Sequence, residues 1–205
     1  MRGWAVSAVY RHRIAKLDHK RANILFVVFF TIAAMAISYA VYAVWFSHHQ
    51  AYLDAGRSAS VQGLEALSKG DFESAQSNLK RALESGAKNP GLHAALGQSY
   101  EATGRLGKAA AAYKESLSLK ANQPQILYKL AIIDKHEGRI KESINGLESA
   151  IAVDQDFVAA RLALAELYLQ QGEPKKAKHN YQEVLELGPF GVDLQEVRQK
   201  LEGIK

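Results

Sequence analysis

Four glycines, Gly70, Gly104, Gly138 and Gly172, stand 34 residues apart in a chain of 205. A fixed interval of this length marks a repeat architecture, in which each copy is a small unit that buries its apolar face on its neighbours. Other positions keep step with the glycines. Five residues after each comes a small residue (Ala75, Ala109, Ser143, Ala177), and nine after comes a bulky one (Leu79, Tyr113, Leu147, Tyr181). Thirteen after come Leu83, Leu117, Ile151 and Leu185, and seven before come Gly63, Gly97, Ala131 and Ala165. The pattern predicts two antiparallel helices per unit. Each glycine ends a first helix, because a left-handed C-cap costs little without a Cβ. The small positions let the two helices cross closely, and the large ones fill the groove toward the next unit. Pro90 and Pro124 open first helices and Pro174 opens a second, where a missing N–H costs nothing.

These residues resemble the tetratricopeptide repeat. The copy at 90–123 matches through Leu96, Gly97, Tyr100, Gly104, Ala109 and Tyr113. The copy at 158–191 matches through Leu164, Ala165, Tyr168, Gly172, Ala177, Tyr181 and Pro189. The copy at 124–157 departs, with Asp134 where the pattern has tyrosine and Ser143 where it has alanine. The copy at 56–89 is weakest, with Ala59, Gln62 and Ala66 where bulk is expected. The resemblance implies an all-α solenoid of four helix pairs over residues 56–191. In residues 192–205, Val192, Leu194, Val197, Leu201 and Ile204 form an apolar stripe that predicts a helix capping the last repeat.

Upstream lies a different kind of segment. Residues Ile24–Phe46 carry no charge and fall within a span expected at 22–46 to form a transmembrane helix. At ~1.5 Å per residue they reach ~35 Å, enough to cross a ~30 Å hydrocarbon core. Six Lys and Arg precede the run in residues 1–21, but only Arg57 follows within twenty residues. Positive charge stays on the cytoplasmic side, so a cytoplasmic N-terminus is expected, with the repeats outside, periplasmic in a Gram-negative inner membrane. A cleaved signal peptide is the rival reading, but the apolar run is longer than the ~7–15 residues of a signal core. Ala33, Ala36, Ala40 and Ala43 share one helical face and suit the approach of a second membrane helix. The plainer account is that alanine is common in such helices. The basic segment 1–21 reads equally as a helix on an anionic leaflet or as an unstructured tail. Residues 47–55 form a short linker across which the helix can continue.

Charge and composition exclude several functions. The net charge of +5 resides in residues 1–21, leaving 20 basic and 20 acidic residues from residue 52 onward. A neutral soluble part lacks the clustered positive charge of a nucleic-acid reader. With no cysteine, a thiol nucleophile or Cys-ligated zinc is ruled out. His93, His136 and His179 fall at different phases of the repeat, with no ligand-like spacing. There is no phosphate-binding glycine loop and no carboxylate pair in an apolar setting. No enzyme, metal, cofactor or small-molecule substrate is expected.

In the family that the repeats resemble, first helices line a concave groove. The resemblance places Gln98 and Glu101 of the second copy there. It adds Gln125, Tyr128, Ile132 and Lys135 of the third, and Leu162, Glu166 and Leu169 of the fourth. It implies a protein partner bound through this groove, with the apolar members as the main contacts. The competing account is that curvature or the capping helix already buries those apolar residues. The function implied is a membrane-anchored scaffold or adaptor in a cell-envelope assembly, such as a secretion, pilus, polysaccharide-export or cytochrome-maturation complex. The alternative is a permanent small structural subunit of a membrane protein complex.

Overall fold

In the computed structural model the backbone is described for residues 3–189 and 191–204, and side chains from Ile24 onward except Leu25, Phe190 and Lys205. The described residues form nine helices. Helix α1 covers Gly3–Ser68, α2 Phe72–Glu84, α3 Pro90–Ala102, α4 Leu106–Leu119 and α5 Pro124–His136. Helix α6 covers Ile140–Val153, α7 Val158–Gln170, α8 Pro174–Leu187 and α9 Leu194–Glu202. The chain divides into two compact units, Met1–Asp54 and Ala55–Lys205.

In the first unit the backbone is helical from Gly3, through the basic segment and on through residues 47–54. The side chains of the basic segment lie outside the described residues. From Phe26 onward the helix is long and apolar enough to cross a membrane, and none of its most apolar window is buried. Large side chains such as Phe29, Met35 and Tyr39 are exposed. The Thr31 hydroxyl donates to the Val28 carbonyl at 2.8 Å, so this polar group is satisfied within the helix itself.

In the second unit, helices pack in sequence order, the pattern of a solenoid: α3 on α4, α5 on α6 and α7 on α8, with α2 on α3, α4 on α5, α6 on α7 and α8 on α9. The four spaced glycines have φ of 75°, 71°, 76° and 73°. At each, two N–H groups return to the preceding helix. Gly104 N–H donates to the Glu101 carbonyl at 3.0 Å and Arg105 N–H to the Tyr100 carbonyl at 2.9 Å. The same pair of bonds recurs at Gly70, Gly138 and Gly172. This is a Schellman end, which needs a residue at ease in the left-handed region.

The in-phase small and bulky residues form the core. Ala75, Ala109, Ser143 and Ala177 are fully buried, and so are Leu79, Tyr113, Leu147 and Tyr181 to within 1%. A Cβ on Gly97 would come within 2.5 Å of Tyr113 Cε1, so glycine is what lets α3 lie against the Tyr113 ring. Gly63 does the same for Leu79, with a Cβ that would meet its Cγ at 2.8 Å.

Both departures in the third copy have local partners. The Ser143 hydroxyl donates to the Ala131 carbonyl at 2.7 Å, which satisfies a polar group in a fully buried position. Asp134, standing where the pattern has tyrosine, accepts from Arg139 Nη2 at 2.6 Å and Nε at 3.0 Å. At the end of the solenoid, Asp193 caps α9 by accepting from the backbone N–H of Gln195 and Glu196. Val197 of α9 then joins Ala165, Tyr181 and Val184 in a terminal cluster, with Val192, Leu201 and Ile204 packed around it.

Candidate functional site

The 34-residue period places one side chain per first helix in each of two rows. One runs Leu64, Gln98, Ile132, Glu166 and Lys200; the other runs Leu67, Glu101, Lys135 and Leu169. Ion pairs link alternate helices. Glu101 of α3 meets Lys129 of α5 at 3.0 Å, while Glu166 of α7 meets Lys135 of α5 and Lys200 of α9, each at 3.5 Å. All five groups are partly exposed, so each pair contributes little stability and mainly sets the local charge.

Two stretches of the face are open. Toward the N-terminal end of the solenoid is a groove of ≈ 800 Å³, walled by Leu64, Leu67, Phe72 and Ala102 and edged by Gln98, Glu101 and Lys129. Toward the other end, ≈ 560 Å³ opens between α7 and α9, where Glu166 and Leu169 face Tyr181, Lys200 and Ile204.

Glu101 is held from two sides on this face. Its Oε2 accepts the Tyr113 hydroxyl at 2.5 Å as well as the Lys129 ammonium. Burial first, and then the Glu101 carboxylate, push the Tyr113 hydroxyl far above the usual tyrosine range. Tyr128 is raised as well, by burial and then by the charges of Glu166 and Glu101.

The residues expected from sequence fall into three environments. Gln98, Gln125 and Leu169 are exposed. Glu101, Lys135 and Glu166 are half-buried members of the ion pairs. Tyr128, Ile132 and Leu162 are half-buried and already have apolar neighbours. Tyr128 and Ile132 pack on the α5–α7 cluster, and the Tyr128 ring lies 5.4 Å from that of Phe157. Leu162 packs on the terminal cluster that includes Val197 of α9. In the first unit Ala33 is half-buried, while Ala36, Ala40 and Ala43 are exposed.

Sequence reasoning missed Leu64, Leu67, Phe72 and Lys129. A signal was present for two of them: Leu64 stands 34 residues before Gln98, and Leu67 34 before Glu101. The first copy matches the repeat pattern least, and the resemblance places none of its residues in the groove. Among the described residues, no group of three or more His, Asp or Glu could hold a metal ion.

An array of helix pairs with an open, mixed apolar and charged face is a binding scaffold of the helical-repeat class. Two family profiles, each described as tetratricopeptide repeat, match residues 61–125 and 134–201. Together they cover more than half of the chain, which belongs to the tetratricopeptide repeat family. Among curated proteins, the mouse DnaJ homolog subfamily C member 3 is 28% identical over 109 residues, 53% of this chain but 22% of that protein. The chain thus spans less than a quarter of the length of that relative. Among solved structures, MamA superposes with a TM-score of 0.65 at 22% identity, over 72% of this chain and 79% of its own. PilF of Pseudomonas aeruginosa gives a TM-score of 0.60 at 20% identity, over 74% and 71%. Likeness at this level is a likeness of fold.

Proposed function

We propose that this chain is a membrane-anchored scaffold that holds a protein partner in the groove of its repeats, within a cell-envelope assembly. The observation that carries the reading is the pairing of two features. One is a helix with a 23-residue uncharged run, Ile24–Phe46, whose described large side chains are exposed. The other is a repeat unit with an open groove on its first helices. Membership of the tetratricopeptide repeat family and the shared fold with MamA and PilF support the scaffold part. The six-to-one Lys/Arg asymmetry supports a cytoplasmic N-terminus with the repeats outside.

In this reading residues 22–46 span the membrane, 56–191 form four repeats and 192–205 cap them. The groove residues are Gln98, Glu101, Gln125, Tyr128, Ile132, Lys135, Leu162, Glu166 and Leu169, joined by Leu64, Leu67 and Phe72. The alanine face of Ala33, Ala36, Ala40 and Ala43 is the surface for a second membrane helix. Partner capture after mild detergent extraction tests the function. Leu64→Glu is expected to keep the helical circular-dichroism signal and lose the partner, because an apolar contact becomes a desolvated charge. A partner retained by Leu64→Glu, Gln98→Lys and Ile132→Glu alike, but lost on changing the alanine face, points instead to a structural subunit held through its membrane helix.

A further inference from the structure

The N-terminal half of the groove carries a charge arrangement that favours one kind of ligand. Glu101 Oε2 is fixed by the Tyr113 hydroxyl at 2.5 Å, and Tyr113 cannot shift, being fully buried with its ring beneath Gly97. The other oxygen, Oε1, accepts no hydrogen bond among the described residues. Lys129 is held differently: its ammonium meets Glu101 at the end of a flexible four-carbon stem, with the side chain 32% exposed. One member of this ion pair is therefore anchored and the other is free to swing into water.

We propose that this half of the groove takes a peptide segment bearing aliphatic side chains and one Arg or Lys, with its cation replacing Lys129 on Glu101. This rests on the reading of the groove as a protein-binding site and names the chemistry of the partner. An incoming guanidinium pairs with both oxygens of a carboxylate already in place, and the displaced Lys129 ammonium is rehydrated. An incoming carboxylate would have to reach Lys129 beside a carboxylate that Tyr113 prevents from moving away. Leu64, 45% exposed, and half-buried Leu67 and Phe72 supply the apolar wall for the aliphatic side chains. The other half of the groove does not suit a cation, because Glu166 already lies between Lys135 and Lys200.

The test is selection of a random dodecamer phage library on the full chain in detergent micelles, followed by titration of the enriched peptides. The expected consensus holds one Arg or Lys with two or more aliphatic residues. Glu101→Gln should weaken its binding at least tenfold, while Lys129→Met, which removes the competing cation, should tighten it, and unchanged or weaker binding to Lys129→Met would overturn the displacement. Replacing the basic residue of the peptide by Gln should abolish sensitivity to Glu101→Gln. If Glu101→Gln fails to fold, the response to Lys129→Met decides alone. Enrichment of acidic peptides that depend on Lys129 and are lost with Leu64→Glu overturns the proposal and leaves the groove reading intact. If no enriched peptide responds to Leu64→Glu, the groove reading falls and the proposal falls with it.

Discussion

At the scale of single residues, glycines that look alike in sequence have different physical roles. A Cβ at position 97 meets the buried Tyr113 ring, so Gly97→Ala is expected to overpack the α3–α4 pair and cost ~1–3 kcal/mol. At position 107, near the start of α4, a Cβ would have nothing within 4 Å, and φ is unexceptional. Gly107→Ala should therefore be neutral or stabilise by up to ~1 kcal/mol, through helix propensity. Urea unfolding of the 55–205 unit measures both. Equal effects would show that the close approach at Gly97 is absent in solution.

Two tyrosines make stability depend on pH. Burial, and then hydrogen bonds to Glu101 and Glu148 respectively, keep the hydroxyls of Tyr113 and Tyr168 protonated well beyond the usual range. An unfolded tyrosine releases its proton near pH ~10. Above that pH the unfolded chain binds fewer protons than the folded one, so the contribution is complete below pH ~10 and is lost as pH rises. The urea midpoint should fall between about pH 9 and about pH 11, and Tyr113→Phe should flatten that fall.

At the scale of elements, α9 is the informative case. It is nine residues long and holds one buried side chain, Val197, yet that side chain completes the cluster over Tyr181 and Val184. In a linear array, damage stays near where it is made. Val197→Asp is expected to cost on the order of 2–3 kcal/mol locally. Amide-exchange protection should be lost first in α8 and α9 and kept in α3 and α4. Uniform loss along the array would contradict this. The same contact bears on Leu162, whose packing on the terminal cluster means that Leu162→Glu should loosen α9 as well as alter the groove. Leu64→Glu, at a side chain 45% exposed, is the cleaner probe of binding.

At the scale of the whole molecule, the proposed orientation rests on charge. Six Lys and Arg before the apolar run and Arg57 alone soon after it predict that protease added to intact spheroplasts digests the repeats. Protection until lysis would reverse the orientation. Moving the bias, with Arg11, Arg13, Lys16 and Lys20 changed to Gln and three Lys added after Phe46, should raise the protected fraction.

The 34-residue spacing by itself determined where the first helix of each pair ends, which small residues sit at crossings and which large ones fill the core. Those features depend on one residue and its near neighbours: a left-handed φ at Gly104, or the absence of a Cβ at Gly97. The uncharged run Ile24–Phe46 also stands in the sequence alone, and α1 carries it as one continuous helix long and apolar enough to cross a membrane. The groove was legible only in part. Position in the repeat gave its rows, but whether a half-inward side chain is free depends on what another helix places against it. Tertiary structure put Val197 of α9 in the cluster that Leu162 joins, and Tyr113 of α4 under Glu101 of α3. It also opened the wall of Leu64, Leu67 and Phe72, in the copy whose pattern is weakest. Burial and charge pairing are set by contacts between helices distant in sequence, which a periodic pattern does not specify.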